Sequence, residues 1–267
     1  MPELPEVETI ARGLSAVITG RRIARVDVSW QRTIDARSEP IQTLGGDTVA
    51  GVGRVGKFVA IELASGRTLA IHLRMTGRLI VTDSPEPLAH ERAALAFVGS
   101  GRLAFCDARK FGRLRLIEGD PGAALRVGID PLSAAFDETA FAALLARRTT
   151  PIKVLLLDQR RIGGVGNIYA CEALYRARVR PTRRSGRLTR LQRRELLGAL
   201  QKVLKRAIEM RGSSVDDYVD AEGLQGEFQN QLTVYGRAGL PCRRCRTPIK
   251  RIVLAQRGTF YCPVCQQ

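Results

Sequence analysis

The chain has 267 residues, room for one large or two ordinary domains with real cores, and a formal net charge of +17. It contains no run of 18 uncharged apolar residues and opens on an acidic, proline-bearing stretch. A membrane span and a signal peptide are therefore not expected, and a cytoplasmic protein is. The charge is uneven: residues 1–130 sum to +3 and residues 131–267 to +14, the footprint of a polyanion binder in the second half. Arginine outnumbers lysine, which suits bidentate phosphate contacts. Nucleic acid is the leading partner, with a ribosomal surface or an acidic protein as alternatives.

The opening reads Met1-Pro2-Glu3-Leu4-Pro5-Glu6-Val7-Glu8. Methionine before proline is normally removed, which leaves a secondary amine beside a carboxylate. A terminal amine has a reference pKa of roughly 7.7–8.0, so a sizeable fraction is neutral and nucleophilic near pH 7. Glu3 is placed to move the accompanying protons. A plainer reading competes: a rigid lead-in to a helix from about Glu6 to Ile18, with Pro5 in the first turn.

Ile23 to Leu116 is rich in strand signals. Val59–Leu63, Leu69–Leu73 and Leu95–Val98 alternate or run apolar, and the turns Ala64–Arg67 and Gly99–Arg102 read as hairpin connections. An antiparallel sandwich with a leading helix is expected, ending near residue 130. Gly56-Lys57-Phe58 puts a lysine at a strand start. Met75 and Phe111 each lie close to a glycine, at turns where an apolar side chain can be exposed. From about Asp137 the period becomes helical, with Leu188 to Ile208 forming an apolar stripe between basic residues. Pro151–Asp158 ends in a glycine-rich turn, Gly163–Gly166, with Asn167 placed to cap the next helix.

Cys106 and Cys171 stand alone and read as buried hydrophobes. Cys242, Cys245, Cys262 and Cys265 form C-x2-C-x16-C-x2-C, the spacing of a structural zinc site with all four positions filled. Lys250–Leu254 and Gly258–Tyr261 read as a hairpin between the knuckles, with Arg257 at its turn.

These motifs together resemble the formamidopyrimidine-DNA glycosylases, from Pro2 to Cys265. The resemblance implies an α+β fold: a catalytic β-sandwich domain (1–130), a helix-two-turn-helix domain (131–235) and a zinc-finger module (236–267). It implies a bifunctional enzyme that excises oxidised purines through a Schiff base on Pro2, assisted by Glu3. Lys57 would donate a proton in β-elimination, and Arg257 would take part in the second elimination. Met75, Arg109 and Phe111 would fill the gap left by a flipped nucleotide. DNA contacts are implied at His72, His90, Arg148, Lys153, Asn167 and Tyr235. One structural Zn2+, a double-stranded damaged-DNA partner, a monomer, and no membrane or small-molecule cofactor follow from the same resemblance. In the family a lesion-recognition loop occupies about 211–228. Two alternatives stay open: the endonuclease VIII branch, which usually opens Pro-Glu-Gly-Pro, and a non-enzymatic zinc-ribbon protein that binds nucleic acid.

Overall fold

The computed structural model describes residues 1–214 and 225–267, which form two compact units. Residues 1–126 and 210–227 make the first, and residues 127–209 and 228–267 the second.

In the first unit, helix α1 (Leu4–Ile18) buries Leu4, Val7, Ile10, Ala11, Leu14 and Ile18, spaced as one helical stripe. It starts two residues earlier than its periodicity suggests, because Glu3 and Glu6 form a reciprocal cap around Pro5. Eight strands follow: β1 (Ile23–Val28), β2 (Val49–Val55), β3 (Phe58–Leu63), β4 (Thr68–His72), β5 (Gly77–Thr82), β6 (Glu91–Phe97), β7 (Arg102–Asp107) and β8 (Arg113–Ile117). They form two four-stranded antiparallel sheets, ordered β1-β6-β7-β5 and β2-β3-β4-β8. Val59, Ile61, Leu69, Ile71 and Leu114 of one sheet share a core with Leu79, Leu95, Leu103 and Phe105 of the other. The stripe of α1 belongs to this core, so the amino terminus is held against the sandwich. Val55 pairs with Phe58 across a two-residue turn at Gly56-Lys57, and Phe58 pairs with His72.

The second unit contains α3 (Glu138–Leu145), α4 (Ile152–Leu157), α5 (Asn167–Arg176) and the long α6 (Arg190–Glu209); a short α2 (Pro121–Leu125) closes the first unit. Strands β9 (Lys250–Leu254) and β10 (Arg257–Tyr261) form the terminal hairpin. Its turn is Ala255-Gln256, both at positive φ, so Arg257 is the first residue of β10 rather than the turn residue expected. The described residues 210–214 and 225–227, expected within the helical domain, cluster with the first unit. The expected recognition loop lies largely outside the described residues, which on this segment are 211–214 and 225–228. No described helix is long and apolar enough to cross a membrane.

Candidate functional site

Pro2 and Glu3 are both buried at the start of α1. The Glu6 carboxylate accepts the Glu3 backbone N–H at 2.8 Å, and the Glu3 carboxylate takes the Glu6 amide in return. The residue beside the expected nucleophile is therefore fixed in main chain and side chain.

Lys57 is buried in the β2–β3 turn, where Gly56 adopts φ +58°. Arg54 braces the turn, donating to the Gly56 carbonyl at 3.3 Å and to Glu8 of α1 at 3.0 Å. Across the sheet His72 packs edge-on against Phe58, with ring centroids 4.7 Å apart. Its Nδ1 accepts the Arg74 backbone N–H at 3.0 Å, which puts the neutral ring's proton on Nε2. Burial, followed by the charges of Arg74 and Lys57, pushes the His72 pKa down to about 3. The imidazole is neutral at physiological pH and carries its one N–H on Nε2.

Met75, Arg109 and Phe111 come together on two neighbouring connections, β4–β5 and β7–β8. Arg109 Nη1 lies 3.4 Å from Met75 Sδ, and its guanidinium sits 4.9 Å from the Phe111 ring centroid. Met75 is 45% exposed and Phe111 50%, so neither is a core residue, and the cluster is an exposed apolar wedge with a cation between its members. His90 is exposed with φ +63°, and its carbonyl accepts the Asp107 N–H at 2.9 Å.

In the second unit Lys153 is 0% exposed. Its ammonium donates to Asn167 Oδ1 at 2.5 Å, Thr259 Oγ1 at 2.6 Å and the Gly258 carbonyl at 3.4 Å. Asn167 donates to the same carbonyl at 2.9 Å. Asn167 does not cap α5: Gly166 occupies the cap position, and the amide is turned to β10 instead. The expected phosphate ligands thus form a strut, with Asn167 at its half-exposed end and Lys153 behind it. Exposed Arg148 and Arg257 line one cavity of about 350 Å³ with Arg161 and Asp158. Tyr235 packs edge-on against Phe260, centroids 5.1 Å apart.

The four cysteine sulfurs lie within 4.8 Å of one another. Cys242 and Cys265 are 3.9 Å apart and Cys245 and Cys262 3.4 Å, far beyond disulfide length. Tetrahedral Zn–S bonds of about 2.3 Å put sulfurs about 3.8 Å apart, so the set fits one structural Zn2+ with no open position. The Tyr175 hydroxyl lies 3.2 Å from Cys242 Sγ and anchors the knuckle to α5. Cys171, expected to be a small buried hydrophobe, is 0% exposed and packs in a hydrophobic cluster with Tyr175, Val234 and Cys242, outside the four-sulfur set.

Three family models match in sequence order: the formamidopyrimidine-DNA glycosylase N-terminal domain over residues 1–114, its H2TH domain over 127–219, and the zinc finger found in FPG and IleRS over 239–267. The formamidopyrimidine-DNA glycosylase of Herpetosiphon aurantiacus is 44% identical over 272 residues, covering 100% of both chains, and that of Moorella thermoacetica is 45% identical over 94% of both. The chain belongs to the formamidopyrimidine-DNA glycosylase family. Among solved structures, a Lactococcus lactis FPG mutant in complex with a Fapy-dG containing DNA matches with a TM-score of 0.91 at 35% identity over the whole of both chains. The MutM (FPG) protein of Thermus thermophilus matches with a TM-score of 0.88 at 43% identity, over 99% of this chain and 98% of that one.

Two buried carboxylates, one in each unit, escaped the sequence reading. Asp107, buried between the triad's connections, accepts the Thr76 hydroxyl on one oxygen and the Gly112 N–H, at 2.7 Å, on the other. Glu172 on α5 is 0% exposed and accepts the amides of Thr233, Val234 and Tyr235 at 2.9–3.0 Å. Neither carboxylate forms an ion pair among the described residues. A carboxylate in an apolar helical string was the one available signal for Glu172.

Proposed function

We propose that the chain is a bifunctional DNA glycosylase and abasic-site lyase that removes oxidised purines, 8-oxoguanine and formamidopyrimidines, from duplex DNA. The observation that carries this reading is the buried Pro2-Glu3 terminus, locked by a reciprocal cap in a member of this family. After Met1 is removed, the Pro2 nitrogen attacks C1′ of the damaged nucleotide and the bond from C1′ to the base breaks; the C1′–O4′ bond then opens as Glu3 assists protonation of the ring oxygen, leaving a C1′ iminium on Pro2. The resulting iminium acidifies the C2′ hydrogen. Loss of that proton expels the 3′ phosphate, and a second elimination expels the 5′ phosphate. Lys57 supplies a proton in the first elimination and Arg257 acts in the second.

Met75 and Phe111 wedge into the stack, and Arg109 faces the base left unpaired by flipping. Asn167, Arg148, Arg257, His72, His90 and Tyr235 contact phosphates, with Lys153 as the buried cation behind Asn167. Lactococcus lactis Fpg has been solved with abasic-site DNA and with DNA containing Fapy-dG, which supports both halves of the reaction. Zinc has a shaping role, holding the hairpin that presents Arg257. The enzyme acts as a cytoplasmic monomer.

Borohydride reduction on an 8-oxoguanine duplex tests this directly. The expected result is a covalent adduct mapped to Pro2, with none from protein whose terminus is blocked or retains Met1. An adduct at Lys57 would overturn the assignment. Glu3→Gln is expected to bind damaged duplex as the wild type does but excise slowly.

A further inference from the structure

One carboxylate in the first unit serves two distant stretches of chain. Glu6 is 2% exposed; its Oε2 accepts the Glu3 N–H and its Oε1 accepts the Ser213 N–H, each at 2.8 Å. The first bond alone would complete the cap of α1. The second reaches 207 positions along the chain, to the foot of the segment that leaves α6.

The local backbone is shaped around this contact. Gly212 has φ +83°, and a Cβ there would fall 2.8 Å from the Glu6 side chain, so a side chain is disfavoured twice over. A Cβ on Gly226 would lie 2.4 Å from the Gly212 carbonyl oxygen. The two strands of this stem are tied by Gly226 N–H to Ser214 Oγ and Glu227 N–H to the Met210 carbonyl, both at 2.9 Å. The stem is thus cinched at a glycine crossing and clipped to Glu6 at that crossing.

We propose that Glu6 is a positioning residue that couples the 210–214/225–227 stem to the nucleophilic terminus. The two oxygens of a carboxylate are rigidly linked and coplanar. A displacement of Ser213 rotates the group and moves the acceptor that fixes Glu3, and with it the direction of Pro2. What the stem feels is transmitted to the reacting amine through one side chain. The inference rests on the assignment of Pro2 and Glu3 made above.

The test uses Glu6→Gln, Gly212→Ala and the double variant in single-turnover excision on an 8-oxoguanine duplex, with affinity and melting temperature measured beside it. Glutamine keeps the shape but turns an NH2 toward one of the two amides. The alanine methyl presses on the Glu6 side chain from the other side and keeps Glu3 and Glu6 as residues, so the cap's chemistry is unchanged. Each single variant is expected to lower the excision rate about 10- to 100-fold, the scale of a misplacement near 1 Å, with affinity within about threefold of wild type. Because both act on one contact, the double variant should be no slower than the slower single one. Multiplying effects, or wild-type rates in Gly212→Ala, would overturn the coupling. Rate losses that track lost affinity or lost melting temperature would reduce Glu6 to a helix cap. Borohydride trapping separates the two assignments: absence of a Pro2 adduct in the wild type defeats the function above, whereas wild-type trapping rates in Glu6→Gln defeat only the coupling.

Discussion

Burial decides the charge of His72. Its strand, β4, is buried at every position, and Arg74 and Lys57 stand close by, so a second positive charge is disfavoured on both counts. The folded pKa of about 3 lies below the 6.5 of an ordinary histidine. Between those values the unfolded chain binds a proton that the folded chain rejects. This contribution to stability is intact above about pH 6.5 and is lost as pH falls toward 3. At about 1.4 kcal/mol per pH unit, His72→Gln should spare the protein about 2 kcal/mol of destabilisation between pH 7 and pH 5. Urea melts of both proteins at the two pH values measure it, and parallel pH dependence would show that His72 is not the group responsible. Arg109 makes a different residue-scale prediction, because its guanidinium is exposed between Met75 and Phe111. Arg109→Ala should relax the preference for the base opposite the lesion and leave the salt dependence of binding almost unchanged. Equal losses opposite all four bases, with a shallower salt slope, would make it a phosphate contact.

Helix α5 is the element that organises the second unit. Its ten residues span about 15 Å; it touches the terminal module at two heights, Asn167 at Gly258 and Tyr175 at Cys242, and between them Glu172 holds Thr233–Tyr235, just before the module. The helix and the β9–β10 hairpin were legible in sequence from period and from cysteine spacing. The ties were not, since Glu172 binds backbone amides 61 to 63 residues away, and backbone amides carry no residue signature. Asn167 was read as a cap from its place after glycines, yet a lysine 14 residues earlier draws its amide to the hairpin. This separates two variants. Arg257→Ala, an exposed strand-end change, should reduce the salt slope of DNA binding by about one contact and leave the fold intact. Lys153→Met leaves Asn167 Oδ1 and Thr259 Oγ1 without their buried donor, while the Gly258 carbonyl keeps the Asn167 amide. It should therefore lower melting temperature as well as affinity for damaged and undamaged DNA alike, at about 1–3 kcal/mol for the unsatisfied groups. Unchanged stability in Lys153→Met would show that the ammonium is a phosphate ligand and not a strut.

At the scale of the whole chain, the sequence led to an expectation of three parts, 1–130, 131–235 and 236–267, and the described residues cluster as two units. What the sequence did not mark is that the described residues 210–214 and 225–227 cluster with the first unit, since that depends on two close glycine approaches and one buried carboxylate. The consequence is a specific pattern of response to metal loss. Four thiolates hold only the 239–267 module, and metal binding is folding energy for that module. Removing the metal should release β9, β10 and, through Tyr175 and Arg244, the last turn of α5, where Arg244 donates to the Tyr175 carbonyl at 2.9 Å. Among the described residues the sandwich core draws none from that region, and it should keep its protection. Hydrogen exchange with and without a chelator reads this segment by segment. Residues 250–261 and 172–176 should exchange faster and DNA binding should fall, while β3, β4, β7 and the amides of Glu3 and Ser213 should exchange as before. Ser213 is the decisive probe, because it follows α6 in sequence but is bound to Glu6 in the first unit. If it loses protection along with the zinc module, the segment answers to its sequence neighbours rather than to its hydrogen bond, and the division of the chain drawn from its contacts is wrong.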